Sequence, residues 1–217
     1  MGRERGRAES AATLVLLVRH ARTRTTGVVL PGRARGLHLA EEGVREAEAA
    51  AQRLARLAGV AAVYASPLER ARETAAPIAR ARRLAVRVAP GLTELDVGEW
   101  TGRSLARLRR TPEWRIVQRH PSGFRFPGGE SFAEMQARVA STVAALVARH
   151  RGRALVAVSH ADPIKAAVAH AVGAHLDLFQ RIAIAPASVT AIAYRPEGPL
   201  VLTVNSVSGD LRSLRHA

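Results

Sequence analysis

Two histidines, each ending a short aliphatic run, carry the chemical promise of this chain. Arg19-His20 ends the aliphatic run within "LLVRHARTRT", and His160 terminates "ALVAVSH" in front of "ADPIK". Arg70 stands four residues after Ser66 in "ASPLERARETAA". An imidazole is a competent nucleophile toward phosphorus, and neither a thiol nor a serine elbow is present to compete with it. Arginine supplies a planar fork of donors that matches phosphate oxygens and stays charged. A leaving alkoxide also needs a proton, and "LTELDVGEWTG" offers Glu94, Asp96 and Glu99 on one loop. Metal binding is the rival role for paired histidines. Cationic surroundings, with no carboxylate beside either histidine in sequence, weigh against it. The remaining histidines (His38, His120, His150, His170, His175, His216) read as surface or satisfied core residues. Arg22 and Arg24 read as solvated, with contacts to an anionic substrate as the alternative.

The elements that must position these residues follow from hydrophobic periodicity. Residues 13–18, 60–64, 84–88 and 154–158 are short β-prone runs, and 188–194 with 200–205 read as a hairpin across "RPEGP". Val44, Ala47, Ala51, Leu54, Ala55 and Ala58 recur at helical spacing before Gly59, as do Phe132, Met135, Val139, Val143 and Leu146. Ser131 with Glu134 predicts a capping box. Ser66 with Pro67 and Glu69 predicts another helix start, and Asp162 with Pro163 a third. Alternating strands and helices predict an α/β fold with a mostly parallel sheet. The carboxyl ends of parallel strands share one edge, where ligands bind, and helix N-termini there favour anions. Residues 100–129 read as an irregular, lid-like excursion.

Composition narrows the function classes. The 217 residues carry 33 Lys+Arg against 18 Asp+Glu, a net charge of +15. That balance invites a nucleic-acid reading. The charge is spread along the chain without a basic arm or interleaved aromatics, so the reading is disfavoured. No cysteine is present, which fits a reducing compartment. No apolar run approaches the ~20 residues of a membrane span. Residues 1–12 read as a disordered basic tail with no signal-peptide core, 13–210 as one domain, and the location as cytoplasmic. A homodimer is compatible with the sequence.

In these motifs, from about residue 14 to about 205, the chain resembles the histidine phosphatase superfamily, the phosphoglycerate mutase-like proteins. "RHA" with Thr23 is similar to the first histidine motif, and "LPGRARGLHLAEEGVREAEAAAQRL" to the segment after it. "SPLERARETA", "LTELDVGEWTG", "PGGES" and "VSHADPIK" match the later motifs in order. The resemblance implies a three-layer sandwich with helices on both faces of the sheet. It implies that His20 is phosphorylated, that Arg19, Arg70 and a protonated His160 complete the phosphate pocket, and that Glu94 is the proton donor. Thr23 and Ala161 would border the substrate. Asp96 and Glu99 would take supporting roles. The implied activity is phosphatase, with phosphomutase as the alternative, acting on a small phosphorylated metabolite without cofactor or metal. An inactive phosphate-binding scaffold is a further alternative. Two positions depart from the pattern: Ala21 and Ala161 stand where the family has glycine, which would let the backbone approach a ligand closely.

Overall fold

The computed structural model describes residues 12–215. Apart from Ala12, the tail expected over 1–12 lies outside the described residues. The elements run β1 (Thr13–Arg19), α1 (Glu41–Ala55), β2 (Val60–Ala65), α2 (Glu69–Ala81), β3 (Val86–Val88), α3 (Leu105–Leu108) and α4 (Pro112–Arg119). Then follow α5 (Phe132–Arg149), β4 (Ala154–Ser159), α6 (Ala161–Ala171), β5 (Val189–Arg195) and β6 (Gly198–Ser206).

The strands form one sheet in the order β3-β2-β4-β1-β5-β6. The first four are parallel, and β5 and β6 add an antiparallel edge. β1 is central, and Leu14 to Val18 are all buried, as a strand covered on both faces requires. Its side chains alternate between layers. Val15 and Leu17 pack with α5 and α6, whereas Leu14, Leu16 and Val18 pack with α1 and α2. The result is the expected three-layer α/β sandwich.

The predicted buried face of α5 is met residue for residue, and both bonds of the Ser131–Glu134 capping box form. Three other expectations need correction. Val44 is 52% exposed, and α1 turns Gly43, Ala47, Ala50, Ala51 and Leu54 inward instead. The third strand is confined to Val86–Val88 rather than 84–88. Residues 100–129 are irregular only in part, since they contain α3 and α4. Their anchorage is aromatic: Trp100 stacks with Trp114 at 6.4 Å and meets Phe126 edge-on at 5.2 Å. Phe126, Phe132 and Phe179 continue that contact into the core. A chain poor in aromatics thus gathers both tryptophans and all four phenylalanines on one side of the sheet. Among the described residues, no helix is long and apolar enough to cross a membrane.

Candidate active site

The register of the parallel strands builds the site. Arg19 pairs with Ser159, and Ala65 with Val158, so the residues that follow leave the sheet side by side. The His20 N–H donates to the Ser159 carbonyl at 2.8 Å, and the Ser66 N–H to the Val158 carbonyl at 2.9 Å. His20 and His160, 140 positions apart in sequence, come to rest with ring centroids 5.1 Å apart.

The sequence placed Ser66 as the cap of α2 and Asp162 as the cap of α6. Neither holds. α2 begins at Glu69 after Leu68, with no side-chain cap, and Ser66 turns to His160 Nε2 at 2.8 Å. α6 is preceded by His160 itself, which puts Asp162 inside the first turn, where it pairs with Lys165. Both residues belong to the site's surroundings rather than to helix capping.

His20 is 5% exposed, and its Nδ1 lies 2.8 Å from the Ala21 carbonyl. A carbonyl only accepts, so Nδ1 carries the proton and the Nε2 lone pair is left for reaction. Burial, reinforced by Arg70 and Arg19, pushes the His20 pKa down to about 3, which keeps the imidazole neutral. Burial also lowers His160 well below the ordinary range, with His20, Arg70, Arg19 and Arg138 adding to it. The second imidazole, expected protonated, is therefore neutral among protein groups alone. Ser66 Oγ accepts from the Leu68 N–H at 3.3 Å and so can donate to His160 Nε2. That network assigns the remaining ring proton to Nδ1.

Arg70 is fully buried and donates to the Gly32 carbonyl at 2.8 Å and the Ala34 carbonyl at 3.3 Å. Arg19 donates to the Ile184 carbonyl at 2.6 Å. Each keeps part of its fork unused. Among the described residues, five buried side-chain nitrogen or oxygen atoms have no hydrogen-bond partner, and three of them are Arg19 Nε, Arg70 Nε and His160 Nδ1. Buried donors without partners are costly, at about 1–3 kcal/mol each. Three in one cluster describe a cradle for an anion.

Glu94 lies on the loop after β3. The Ala89 N–H bonds to the Ala65 carbonyl at 2.8 Å, and Ser159 Oγ donates to the Leu92 carbonyl at 2.7 Å, which turns the loop back across the strand ends. Glu94 Oε2 stands 3.9 Å from His160 Nδ1. A carboxyl group thus does face a histidine, although none adjoins one in sequence. Burial, aided by Asp162, raises its pKa to about 7 against the opposing pull of the Leu95 N–H, Arg70 and Arg19. Near neutral pH it holds a proton it can give away.

The other sequence candidates fall further out. Thr23 is 6% exposed, and its hydroxyl meets those of Thr26 and Thr25 at 3.1 and 3.3 Å, shaping the turn after His20. Ala161 opens α6. Ala21 packs with Ala47, Ala50 and Ala187, and its N–H donates to Thr74 Oγ1 at 3.0 Å. Neither alanine is among the described non-glycine residues at positive φ, so no left-handed backbone is needed there. Asp96 pairs with Arg33, Glu99 is exposed, and Arg22 pairs with Glu42 and Glu46. Arg24 is exposed. His38 pairs with Glu73, His150 meets the Tyr64 hydroxyl, and His120, His170 and His175 are exposed. His216 lies outside the described residues. Sequence reasoning missed Ser66 as a partner of His160, Thr74 behind Ala21, and Arg33, Glu130 and Arg138 around the acid loop. Ser66 and Thr74 stand in "SPLERARETA", Arg33 in "LPGRARG" and Glu130 in "PGGES", so the motifs held four of the five without indicating their partners, and Arg138 stands in none of them.

Comparison with known proteins points the same way. The chain is 35% identical over 198 residues to the bifunctional protein Rv2228c of Mycobacterium tuberculosis, covering 88% of this chain and 53% of that one. It therefore spans about half the length of that relative. It is 32% identical over 196 residues to phosphoserine phosphatase 1 of Hydrogenobacter thermophilus, with 88% of this chain and 91% of that protein aligned. Among solved structures, the mycobacterial glucosyl-3-phosphoglycerate phosphatase Rv2419c superposes with a TM-score of 0.81 at 27% identity, over 90% of this chain and 99% of that one. Residues 15–207 match the family description of the histidine phosphatase superfamily, branch 1. By this match, and by a site whose two histidines meet at the strand ends, the chain belongs to the histidine phosphatase superfamily.

Proposed function

We propose that this chain is a metal-independent phosphatase that hydrolyses phosphomonoesters of small metabolites through a phosphohistidine at His20. The observation that carries the reading is the convergence of the unpartnered Arg19 Nε, Arg70 Nε and His160 Nδ1 around a neutral His20. His20 Nε2 attacks phosphorus in line, forming the N–P bond as the P–O bond to the leaving group breaks. Arg19 and Arg70 stabilise charge on the equatorial oxygens, the work a metal ion would otherwise do. Burial, with the arginines adding to it, keeps His160 neutral; a bound phosphate dianion opposes both effects, so His160 takes a proton from solvent as substrate binds and becomes an imidazolium donor. The Glu94 carboxyl gives its proton to the leaving oxygen. The resulting carboxylate takes one from water, whose oxygen attacks phosphorus and releases inorganic phosphate and the neutral imidazole.

Two relatives are named as phosphatases of small phosphomonoesters, which favours hydrolysis over transfer to a second alcohol. The same proposal takes the described chain as one domain, with residues 100–129 as its lid. It sets the reaction in the cytoplasm, with phosphorylated metabolites rather than nucleic acid as partners. A homodimer is compatible with it.

The test is covalent trapping. A phosphoramidate is labile in acid and more stable in base, so an alkaline quench after brief incubation with labelled substrate is expected to leave label on His20. His20→Ala is expected to take up none, and excess chelator to leave turnover unchanged. The label is expected to appear as inorganic phosphate even with acceptor alcohol in excess. Transfer to the acceptor would replace the phosphatase reading by a mutase, and binding without turnover by a scaffold. Absence of label on His20 with a substrate that turns over would refute the covalent step.

A further inference from the structure

The loop that carries Glu94 is gripped by a charged cluster to which the steps above assign no task. Glu130 sits just before α5, and its side chain is 14% exposed. Its carboxylate accepts from Arg138 Nε and Nη2 at 2.9 and 2.8 Å, from Arg33 Nη2 at 3.0 Å and from the Asp96 N–H at 3.3 Å. The two arginines then reach the acid loop. Arg138 Nη1 donates to the Gly91 and Thr93 carbonyls at 2.8 and 2.9 Å, and Arg33 Nε donates to the Glu94 carbonyl at 2.9 Å. The main chain closes the contact, with the Glu130 N–H on the Asp96 carbonyl at 2.9 Å. Gly129 permits this approach, since a Cβ there would lie 2.5 Å from the Asp96 oxygen.

We propose that Glu130, acting through Arg33 and Arg138, is a positioning residue that fixes the Glu94 carboxyl against the leaving-group oxygen. The inference rests on the reading of Glu94 as proton donor. Surface ion pairs are commonly worth little, but this one is mostly buried, uses both oxygens and holds backbone groups of a distant loop. Its charge balance suits the task. Two guanidiniums, Arg33 and Arg138, face two carboxylates, Glu130 and Asp96, so the cluster is charge-balanced. The loop is thus held by guanidinium hydrogen bonds without a net positive field. Arg33 also joins the two halves of the site, because the neighbouring Gly32 and Ala34 carbonyls hold Arg70. The other groups facing Glu94 are His160 and Asp162 from the α6 side, Arg70 from α2 and Arg19 from β1.

Leaving-group dependence tests the proposal. An alkyl phosphate needs its departing oxygen protonated, whereas p-nitrophenyl phosphate releases a stable anion and does not. If Glu94 is the acid, Glu94→Gln lowers turnover of the alkyl ester by roughly 10²–10⁴-fold and that of the aryl ester far less. Glu130→Gln is then expected to lose about tenfold more on the alkyl than on the aryl ester, and to move the alkaline limb of the alkyl profile to lower pH, because two guanidiniums lose their counter-charge. In a Glu94→Gln background, Glu130→Gln is expected to change the alkyl-to-aryl ratio by less than about twofold, since positioning an absent acid has no effect. Arg138→Lys, which keeps the charge and loses the fork, is expected to follow Glu130→Gln and serves if that variant fails to fold. Equal losses on both esters in Glu130→Gln or Arg138→Lys, beside a selective Glu94→Gln, would overturn the proposal. A Glu94→Gln variant without selectivity would overturn the proton-donor reading beneath it.

Discussion

Replacing Glu94 by glutamine is expected to make the protein more stable above neutral pH while impairing it as an enzyme. In the folded chain the carboxyl pKa rises from 4.5 to about 7, chiefly because burial disfavours the carboxylate. The sign follows by linkage. Below 4.5 both the folded and the unfolded chain hold this proton, and it makes no difference to folding. Between 4.5 and about 7 the unfolded chain releases it while the folded chain retains it, so stability falls through that window. At ~1.4 kcal/mol for each pH unit, the accumulated loss is about 3 kcal/mol by pH 8.5. Glutamine never ionises and escapes that loss. Urea unfolding of both proteins from pH 5 to 8.5 gives the measurement, and titrating groups remote from Glu94 cancel in the difference. The variant is expected to gain roughly 2–3 kcal/mol on wild type across that range. Asp162→Asn is expected to reduce the gain, since Asp162 contributes to the raised pKa. A flat difference, or one of opposite slope, would mean that Arg19 and Arg70 outweigh burial. Glu94 would then be a carboxylate at neutral pH and no acid for the leaving group.

Three further perturbations probe the phosphate cradle and its support. Arg70→Ala is expected to reduce kcat/KM by about 3–4 kcal/mol of transition-state stabilisation, and wild-type kinetics in a folded variant would remove Arg70 from the site. Ala21→Gly is expected to cost about 1–2 kcal/mol of stability, through a lost buried methyl and a freer unfolded backbone, with inhibition by inorganic phosphate unchanged. Higher activity or weaker phosphate inhibition would show that the methyl faces the pocket after all. Gly43→Ala would place a Cβ 2.0 Å from the Arg22 carbonyl oxygen, two residues beyond His20. It is expected to lower Tm and turnover together, by overpacking of about 1–3 kcal/mol, and a variant like wild type in both would refute the close approach.

Much of this protein was legible before any coordinates. Alternating apolar runs and helical periodicities are local signals, and a strand buried on both faces must be apolar throughout, so β1, β2, β4 and the buried stripe of α5 could be read from residue type alone. His20, Arg70, Glu94 and His160 stand in motifs that each follow a strand, and in a parallel sheet strand ends share an edge. What tertiary structure alone decided is where polar side chains find their partners. Ser66 and Asp162 have the residue type and spacing of helix caps, yet the cap position of α2 falls later, at Leu68, leaving the Ser66 hydroxyl to bridge the Leu68 N–H and His160. That of α6 falls earlier, at His160, leaving Asp162 to pair with Lys165 and act on Glu94. Val44 fits the helical stripe by sequence, but the close approach of Gly43 to Arg22 rotates α1 so that the valine faces out. The protonation states belong to the same class. A neutral His20 and a protonated Glu94 arise chiefly from burial, with added charge from Arg70, distant in sequence from both, from Asp162 at Glu94 and from Arg19 beside His20, and the burial does not exist until the strands pair.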